Sequence, residues 1–201
     1  MKIIGLCGGS GSGKGTVCAE FARLGIPSVD TDAVYHELTS RESECLSELV
    51  SAFGDKIITK SHTLDRKALA DVVFGASSSD EKRALLNKIS HKHILKRTGE
   101  ILDSYRSDGV RGAIVDAPLL FESGFDKECD VTVAVLADRD LRVRRIMRRD
   151  GISEERAIAR ISSQLSDEEL SLRCDFVIVN NGEEDSLSQK VAELAEKIFE
   201  I

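Results

Sequence analysis

The residues Gly8-Gly9-Ser10-Gly11-Ser12-Gly13-Lys14-Gly15-Thr16 follow directly on the apolar run Ile3-Ile4-Gly5-Leu6-Cys7. Their spacing is that of a phosphate-binding loop, with Gly8 and Gly13 at the fixed glycine places and Lys14 next. Glycines let such a backbone curl so that successive N–H groups point at phosphate oxygens. A helix opening at Lys14 adds the positive end of its dipole, and the lysine ammonium can bridge a β- and a γ-phosphate. One letter departs from the pattern. The hydroxyl residue that follows the lysine and touches Mg²⁺ is replaced by Gly15, and Thr16 comes one place late.

Carboxylates and arginines extend this chemistry. Asp30 and Asp32 flank Thr31 at the end of an apolar run. A strand continuing through them would put both carboxylates on one face. Asp32 there could accept the proton of an attacking hydroxyl and help to order Mg²⁺. Helix capping by Thr31 or Asp32 is the competing structural role. Asp116 closes the run Ala113-Ile114-Val115, an apolar stretch ending in aspartate that in phosphate-loop proteins lies beside the metal. Arg142, Arg144, Arg145, Arg148 and Arg149 crowd one helical stretch. Arg145 and Arg149 share a face at i, i+4, where like charges repel unless an anion such as a transferring phosphoryl group lies between them. A solvated face balanced by Asp138, Asp140 and Asp150 is the alternative. His91 and His93 stand at i, i+2, which do not face each other on a helix, so a core or capping role is the default for each.

Positioning these groups needs strand ends. Five short apolar runs, at 3–7, 26–30, 113–116, 131–136 and 176–179, read as buried parallel strands separated by helical patterns. That alternation predicts a doubly wound α/β sheet, whose ligands bind outside the carboxyl ends of the strands. Gly8, Asp32 and Asp116 all fall at or just past such ends. Residues 32–110 show only helical periodicity and are too long for a connection, which predicts a helical insertion carrying a second substrate's site. Residues 139–163 read as a basic helical hairpin turning at Gly151, with Ser153 as cap and Glu155 or Arg156 following. Ser77-Ser78-Ser79 reads as a short polar loop.

At 201 residues the chain suits one α/β domain with inserted parts. The composition, 41% apolar and 31% charged, is that of a globular protein, and the net charge of −7 argues against a nucleic-acid or anionic-membrane surface. No apolar stretch approaches the roughly 20 residues of a membrane helix, and a cytoplasmic address is expected. Cys7, Cys18, Cys45, Cys129 and Cys174 are odd in number, scattered and without a C-x-x-C pair, a pattern of reduced thiols rather than disulfides or zinc.

Several segments together resemble the dephospho-coenzyme A kinase family. They are the loop with Val17; Asp30-Thr31-Asp32; Leu64-Asp65-Arg66 with Leu69 and Val73-Phe74; Asp116-Ala117-Pro118-Leu119-Leu120-Phe121-Glu122; Arg145 and Arg149 before Asp150-Gly151; Arg160-Ile161 with Gln164; and Asp175-Phe176-Val177-Ile178 before Asn180. They span nearly the whole chain, and the Asp-x-Pro-Leu-Leu-Phe-Glu segment is the most specific. The resemblance implies a three-layer P-loop NTPase fold with a five-stranded parallel sheet: core 1–31, 111–138 and 164–201, a helical acceptor-binding insertion 32–110, and a lid 139–163. It implies transfer of the ATP γ-phosphoryl to the 3′-hydroxyl of dephospho-coenzyme A, the last step of coenzyme A synthesis, in a monomer or weak homo-oligomer. By the same resemblance Gly11, Ser12, Gly13, Lys14, Gly15 and Thr16 bind the ATP phosphates and Asn180 lies near the adenine. Lys14, Asp32, Arg145 and Arg149 are catalytic. Asp116, Pro118, Leu119, Phe121, Glu122 and His91 belong to the acceptor site. Thr16, Asp32 and Asp116 attend Mg²⁺, partly through water. The chain departs from the family at Gly15, at Lys92 where a proline usually follows the histidine, and at Arg142 where glutamine is common.

The Gly-Lys-Gly-Thr stretch also resembles adenylate kinases, which makes a nucleoside monophosphate kinase the alternative. No segment like Asp-Gly-Phe-Pro-Arg supports it. A guanine-nucleotide switch would need an Asn-Lys-x-Asp base reader, and Val179-Asn180-Asn181-Gly182 lacks the lysine and aspartate.

Overall fold

A computed structural model describes residues 1–75, 79–182 and 184–200. Ser77 and Ser78 of the expected polar loop lie outside the described residues. The apolar runs form strands β1 (Lys2–Cys7), β2 (Ser28–Asp30), β3 (Gly112–Asp116), β4 (Val131–Leu136) and β5 (Phe176–Val179). They assemble in the order β2-β3-β1-β4-β5 as a parallel sheet, as expected. The helices are α1 (Lys14–Arg23), α2 (Thr31–Thr39), α3 (Glu44–Phe53), α4 (Arg66–Phe74), α5 (Asp80–Ser107), α6 (Arg139–Asp150), α7 (Glu154–Ser162), α8 (Asp167–Arg173) and α9 (Glu184–Phe199).

Two compact units result: Met1–Val29 with Tyr105–Ile201, and Asp30–Ser104. In the first, Ile4, Leu6, Ile114, Val133 and Val135 of the sheet pack on Val17 and Phe21 of α1 and on Leu187, Val191 and Leu194 of α9. Burying each such side chain contributes about 1.5–3 kcal/mol. The central strands β1, β3 and β4 read as continuous apolar runs because both of their faces are covered, whereas Val177 and Val179 of the edge strand β5 stay exposed; on the second face Gly5 lies against Cys129 and Leu120. The second unit closes its own core with Cys45, Leu49 and Phe53 of α3, Ile57 of the short 3-10 turn that follows, Leu69 and Val73 of α4, and Ile89 of α5. Its helices start at side-chain caps: Ser43 accepts from Leu46 N–H at 3.0 Å and Asp65 from Ala68 N–H at 2.9 Å. The purely helical expectation for this stretch needs one amendment, an isolated antiparallel bridge between Ile58 and Leu64.

Two local expectations change. The second strand starts at Ser28 rather than Ile26, because Pro27 has no N–H and the Ile26 N–H returns to Phe21 O at 3.0 Å. It also stops at Asp30. The Asp30 carboxylate accepts from the N–H groups of Asp32 and Ala33 at 2.9 and 3.1 Å and so starts α2 at Thr31. Asp30, not Thr31 or Asp32, is the cap. Asp32 is therefore helical, and the alternation that would have put both carboxylates on one strand face does not apply.

Register sets what the strand ends carry. β1 pairs with β3 so that Leu6 stands beside Asp116, and with β4 so that Cys7 stands beside Ala134. β4 pairs with β5 so that Leu136 stands beside Val179, and the Asn180 N–H then donates to Leu136 O at 2.8 Å. The loop after Cys7, the Asp116 carboxylate and Asn180 thus emerge at one edge of the sheet.

Candidate active site

Gly13 holds the left-handed conformation at φ 92° and leads straight into α1, which opens at Lys14 as the sequence predicts. A Cβ on Gly13 would stand 2.1 Å from the Asn180 amide nitrogen, so only glycine fits. The Lys14 ammonium donates to Gly8 O at 3.2 Å and faces Asp116 Oδ1 at 3.7 Å, with both side chains largely buried. In low dielectric that pairing holds the lysine at the loop mouth. Ser12 is 1% exposed and its hydroxyl makes no hydrogen bond among the described residues. Gly15 and Thr16 are exposed on the first turn of α1. A Cβ on Gly15 would meet nothing within 4 Å, so its missing hydroxyl leaves open space rather than a filled contact.

Asn180 anchors the loop from behind. Its amide donates to Ser12 O at 2.9 Å, while its backbone carbonyl and side-chain oxygen accept from Arg145 at 3.1 and 3.4 Å. Arg145 also donates to Gly11 O at 3.1 Å. Burial, together with the neighbouring Arg148, pushes the Arg145 guanidinium below its usual value, though arginine stays charged at any working pH. Of the arginines singled out from the sequence, Arg145 is therefore brought to the loop. Arg149 is held elsewhere, bidentate on Asp150 at 2.7 and 3.0 Å, and Arg160 joins the same carboxylate. Those two guanidinium groups hold the Asp150 carboxyl down at about 2. The turn between α6 and α7 follows the sequence expectation, with Gly151 at φ 64° and the Ser153 hydroxyl accepting from Arg156 N–H.

From the sequence, Arg142 is a member of the basic cluster and a departure where glutamine is common, with no role of its own, yet it is 4% exposed and braces the loop. Its Nε donates to Ser10 O at 3.0 Å and its Nη1 to Asp167 Oδ1 at 2.8 Å. Its Nη2 lies over Gly9, where a Cβ would stand 2.1 Å away. Gln164 completes the brace by accepting from Ser10 N–H at 2.8 Å. The available signal was helical phase: Arg142 lies four residues before Ile146, on the buried stripe that includes Val143.

After β3 the chain turns through residues 116–122. Pro118 and Glu122 are exposed, Leu119 is half-exposed, Leu120 is buried, and the Phe121 ring receives the Arg173 guanidinium 5.6 Å from its centre. Pro118, Leu119, Phe121 and Glu122 line a cleft of about 280 Å³ that Gly8 and Gly9 also border. Asp32, exposed on α2, and His91, on α5, belong to the helical unit. His93 is buried beside Glu48 with Nε2 to Oε2 at 3.2 Å, a core position. Among the described residues no three His, Cys, Asp or Glu side chains group as a metal cage. The donor set still suits Mg²⁺, which is bound through one or two carboxylates plus substrate phosphates rather than by an all-protein cage. Asp116, a hard oxygen donor held beside the Lys14 ammonium, fits that mode.

The family model described as "CoaE: Dephospho-CoA kinase" matches residues 2–186. A Fusobacterium nucleatum dephospho-CoA kinase is 39% identical over 198 residues, covering 98% of this chain and 99% of its own length. A solved Campylobacter jejuni dephospho-CoA kinase superimposes with a TM-score of 0.71 at 27% identity, over 100% of this chain and 98% of that one. A Bacteroides thetaiotaomicron shikimate kinase shares the fold alone, at TM-score 0.55 and 16% identity over 100% and 99% of the two chains.

Proposed function

The chain belongs to the dephospho-CoA kinase family, and on that premise we propose how its residues move the γ-phosphoryl group of ATP to the 3′-hydroxyl of dephospho-coenzyme A, giving coenzyme A and ADP. The observation that carries this reading is the Lys14 ammonium, fixed between Gly8 O and the Asp116 carboxylate at the mouth of the glycine loop.

Backbone N–H groups of residues 11–16 cradle the phosphates, and Lys14 draws charge from the group in flight. Asp32 takes the proton of the 3′-hydroxyl as its oxygen bonds to phosphorus and the bridging oxygen leaves with ADP. The protein does little covalent work here, so orientation and charge neutralisation supply most of the rate. Asp116, Thr16 and Asp32 are the groups that would hold Mg²⁺, partly through water, and the ion would neutralise charge on the transferring oxygens. Arg145 and Arg149, on a lid of residues 139–163, act on the same charge; for Arg149 this requires leaving Asp150. Asn180 lies near the adenine. Pro118, Leu119, Phe121 and Glu122, with His91 from the helical insertion 32–110, contact the acceptor. A cytoplasmic monomer or weak homo-oligomer completes the reading; among the described residues no helix is long and apolar enough to cross a membrane.

A coupled ADP-release assay tests the acceptor. Turnover with dephospho-coenzyme A and little with AMP is the expected result. Turnover with AMP alone would transfer the chain to the nucleoside monophosphate kinases.

A further inference from the structure

Two thiols with no part in the proposed transfer lie in contact across the sheet. Cys7 ends β1 and is 1% exposed; Cys174 follows α8, directly before Asp175 and β5, and is partly exposed. They are 167 residues apart in the chain, yet their sulfurs are 3.4 Å apart. Nothing in their sequence spacing announces the pair.

We propose that Cys7 and Cys174 are an oxidation site, closed to an intramolecular disulfide by a peroxide, and that closure disables the phosphate loop. The geometry supplies proximity and the surroundings supply selectivity. Burial pushes the Cys45 thiol up to about 11 and the Cys129 thiol up to about 12, so neither offers thiolate at neutral pH. At Cys174 the trend reverses: the hydrogen-bonding contact with the Cys7 thiol favours its thiolate, against partial burial and the charge of Asp175. Cys7, donating that hydrogen bond from a buried place, stays a thiol.

The chemistry balances in two steps. The Cys174 thiolate attacks one peroxide oxygen, the O–O bond breaks, and hydroxide leaves, so that sulfur becomes a sulfenic acid. Cys7 sulfur then attacks the Cys174 sulfur, the S–O bond breaks, and the Cys7 proton leaves with that oxygen as water. One peroxide is reduced and two thiols are oxidised. A disulfide needs its sulfurs at about 2.05 Å, so the pair closes by about 1.4 Å from its 3.4 Å contact. Cys7 is bonded to Gly8, whose carbonyl accepts the Lys14 ammonium at 3.2 Å. Pulling Cys7 towards Cys174 therefore displaces the carbonyl that positions the phosphate lysine. The effect on activity rests on the proposed role of that loop; formation of the disulfide does not.

The test treats the full chain with hydrogen peroxide, blocks remaining thiols, and reads peptide masses, ATP binding and turnover with dephospho-coenzyme A in parallel. The expected result is a peptide linking Cys7 to Cys174 and a fall in kcat/KM of about a hundredfold, the scale of a 1 Å misplacement at a reacting centre. Dithiothreitol reverses both, and Cys174→Ser, or Cys174→Ala should the serine variant not fold, keeps its basal turnover through the same treatment. Absence of the linked peptide overturns the site even if activity falls. A linked peptide with ATP binding and turnover unchanged, or equal inactivation of the Cys174 variants, overturns its action on the loop.

Discussion

At the scale of single residues, the groups with strong local signatures were legible and those defined by long-range contact were not. Gly13, Lys14 and Asp116 stand where their motifs put them, because loop and strand-end geometry follow from residues a few places away. Helical phase marks Arg142 as buried, but its partners Ser10 and Asp167, like the Cys7–Cys174 contact, lie far apart in the chain, which no local pattern encodes. Lys14→Ala and Asp32→Asn should each lower kcat by orders of magnitude, about 10³-fold on the scale of losing one preorganised charge partner, with unfolding midpoints little changed. Turnover near the starting level in Asp32→Asn would remove it from the base role. Gly15→Ser should fold, since its Cβ meets nothing within 4 Å, and should lower the Mg²⁺ concentration that half-saturates turnover. An unchanged Mg²⁺ requirement would place the ion away from this helix turn. The Asp150 carboxyl, held at about 2 by Arg149 and Arg160, sits below its unfolded value, so its stabilisation is full above the ordinary carboxylate range and is lost as pH falls through about 2. Carboxyl NMR should show that titration, and a midpoint near 4, the ordinary aspartate range, would mean the pair does not form in solution.

At the scale of elements, the central strands β1, β3 and β4 were readable because burial on both faces leaves uninterrupted apolar runs, and the α6–α7 turn was readable from Gly151 and Ser153. The boundary after β2 was not, because strand and helix compete for Asp30-Thr31-Asp32. The Asp30 carboxylate, by capping two N–H groups, decides for helix. Helix α6 does more than carry arginines outward. Through Arg142 it joins Ser10 of the loop to Asp167 at the start of α8, and through Arg145 it reaches Gly11 and Asn180. Arg142→Ala should cost about 2 kcal/mol, the scale of hydrogen bonds to a buried charge, and should raise KM for ATP more than it lowers kcat. Arg142→Gln, still able to reach Ser10 O, should recover part of the KM. Thermal unfolding with paired kinetics separates the outcomes: a stability loss with KM unchanged would make Arg142 a packing residue only.

At the scale of the molecule, the parallel sheet turns separate stretches of chain into one edge where loop, Asp116 and Asn180 meet, while residues 30–104 build a core of their own. The likeness to a shikimate kinase at 16% identity reaches the fold and no further, so the acceptor has to be argued from this chain's own residues. Removing the α1 residue Phe21, fully buried in the core that the sheet and α9 also line, should cost about 3–5 kcal/mol as Phe21→Ala and would weaken the edge that carries the loop, read as a fall in denaturant midpoint. The most direct measurement of the account incubates the chain with ATP, Mg²⁺ and dephospho-coenzyme A, alongside Lys14→Ala, and follows the product by ³¹P NMR. A new 3′-phosphomonoester resonance should grow one-for-one with ADP in the parent chain and be nearly absent in Lys14→Ala. ADP release without that resonance, or an equal rate from Lys14→Ala, would contradict the proposed transfer.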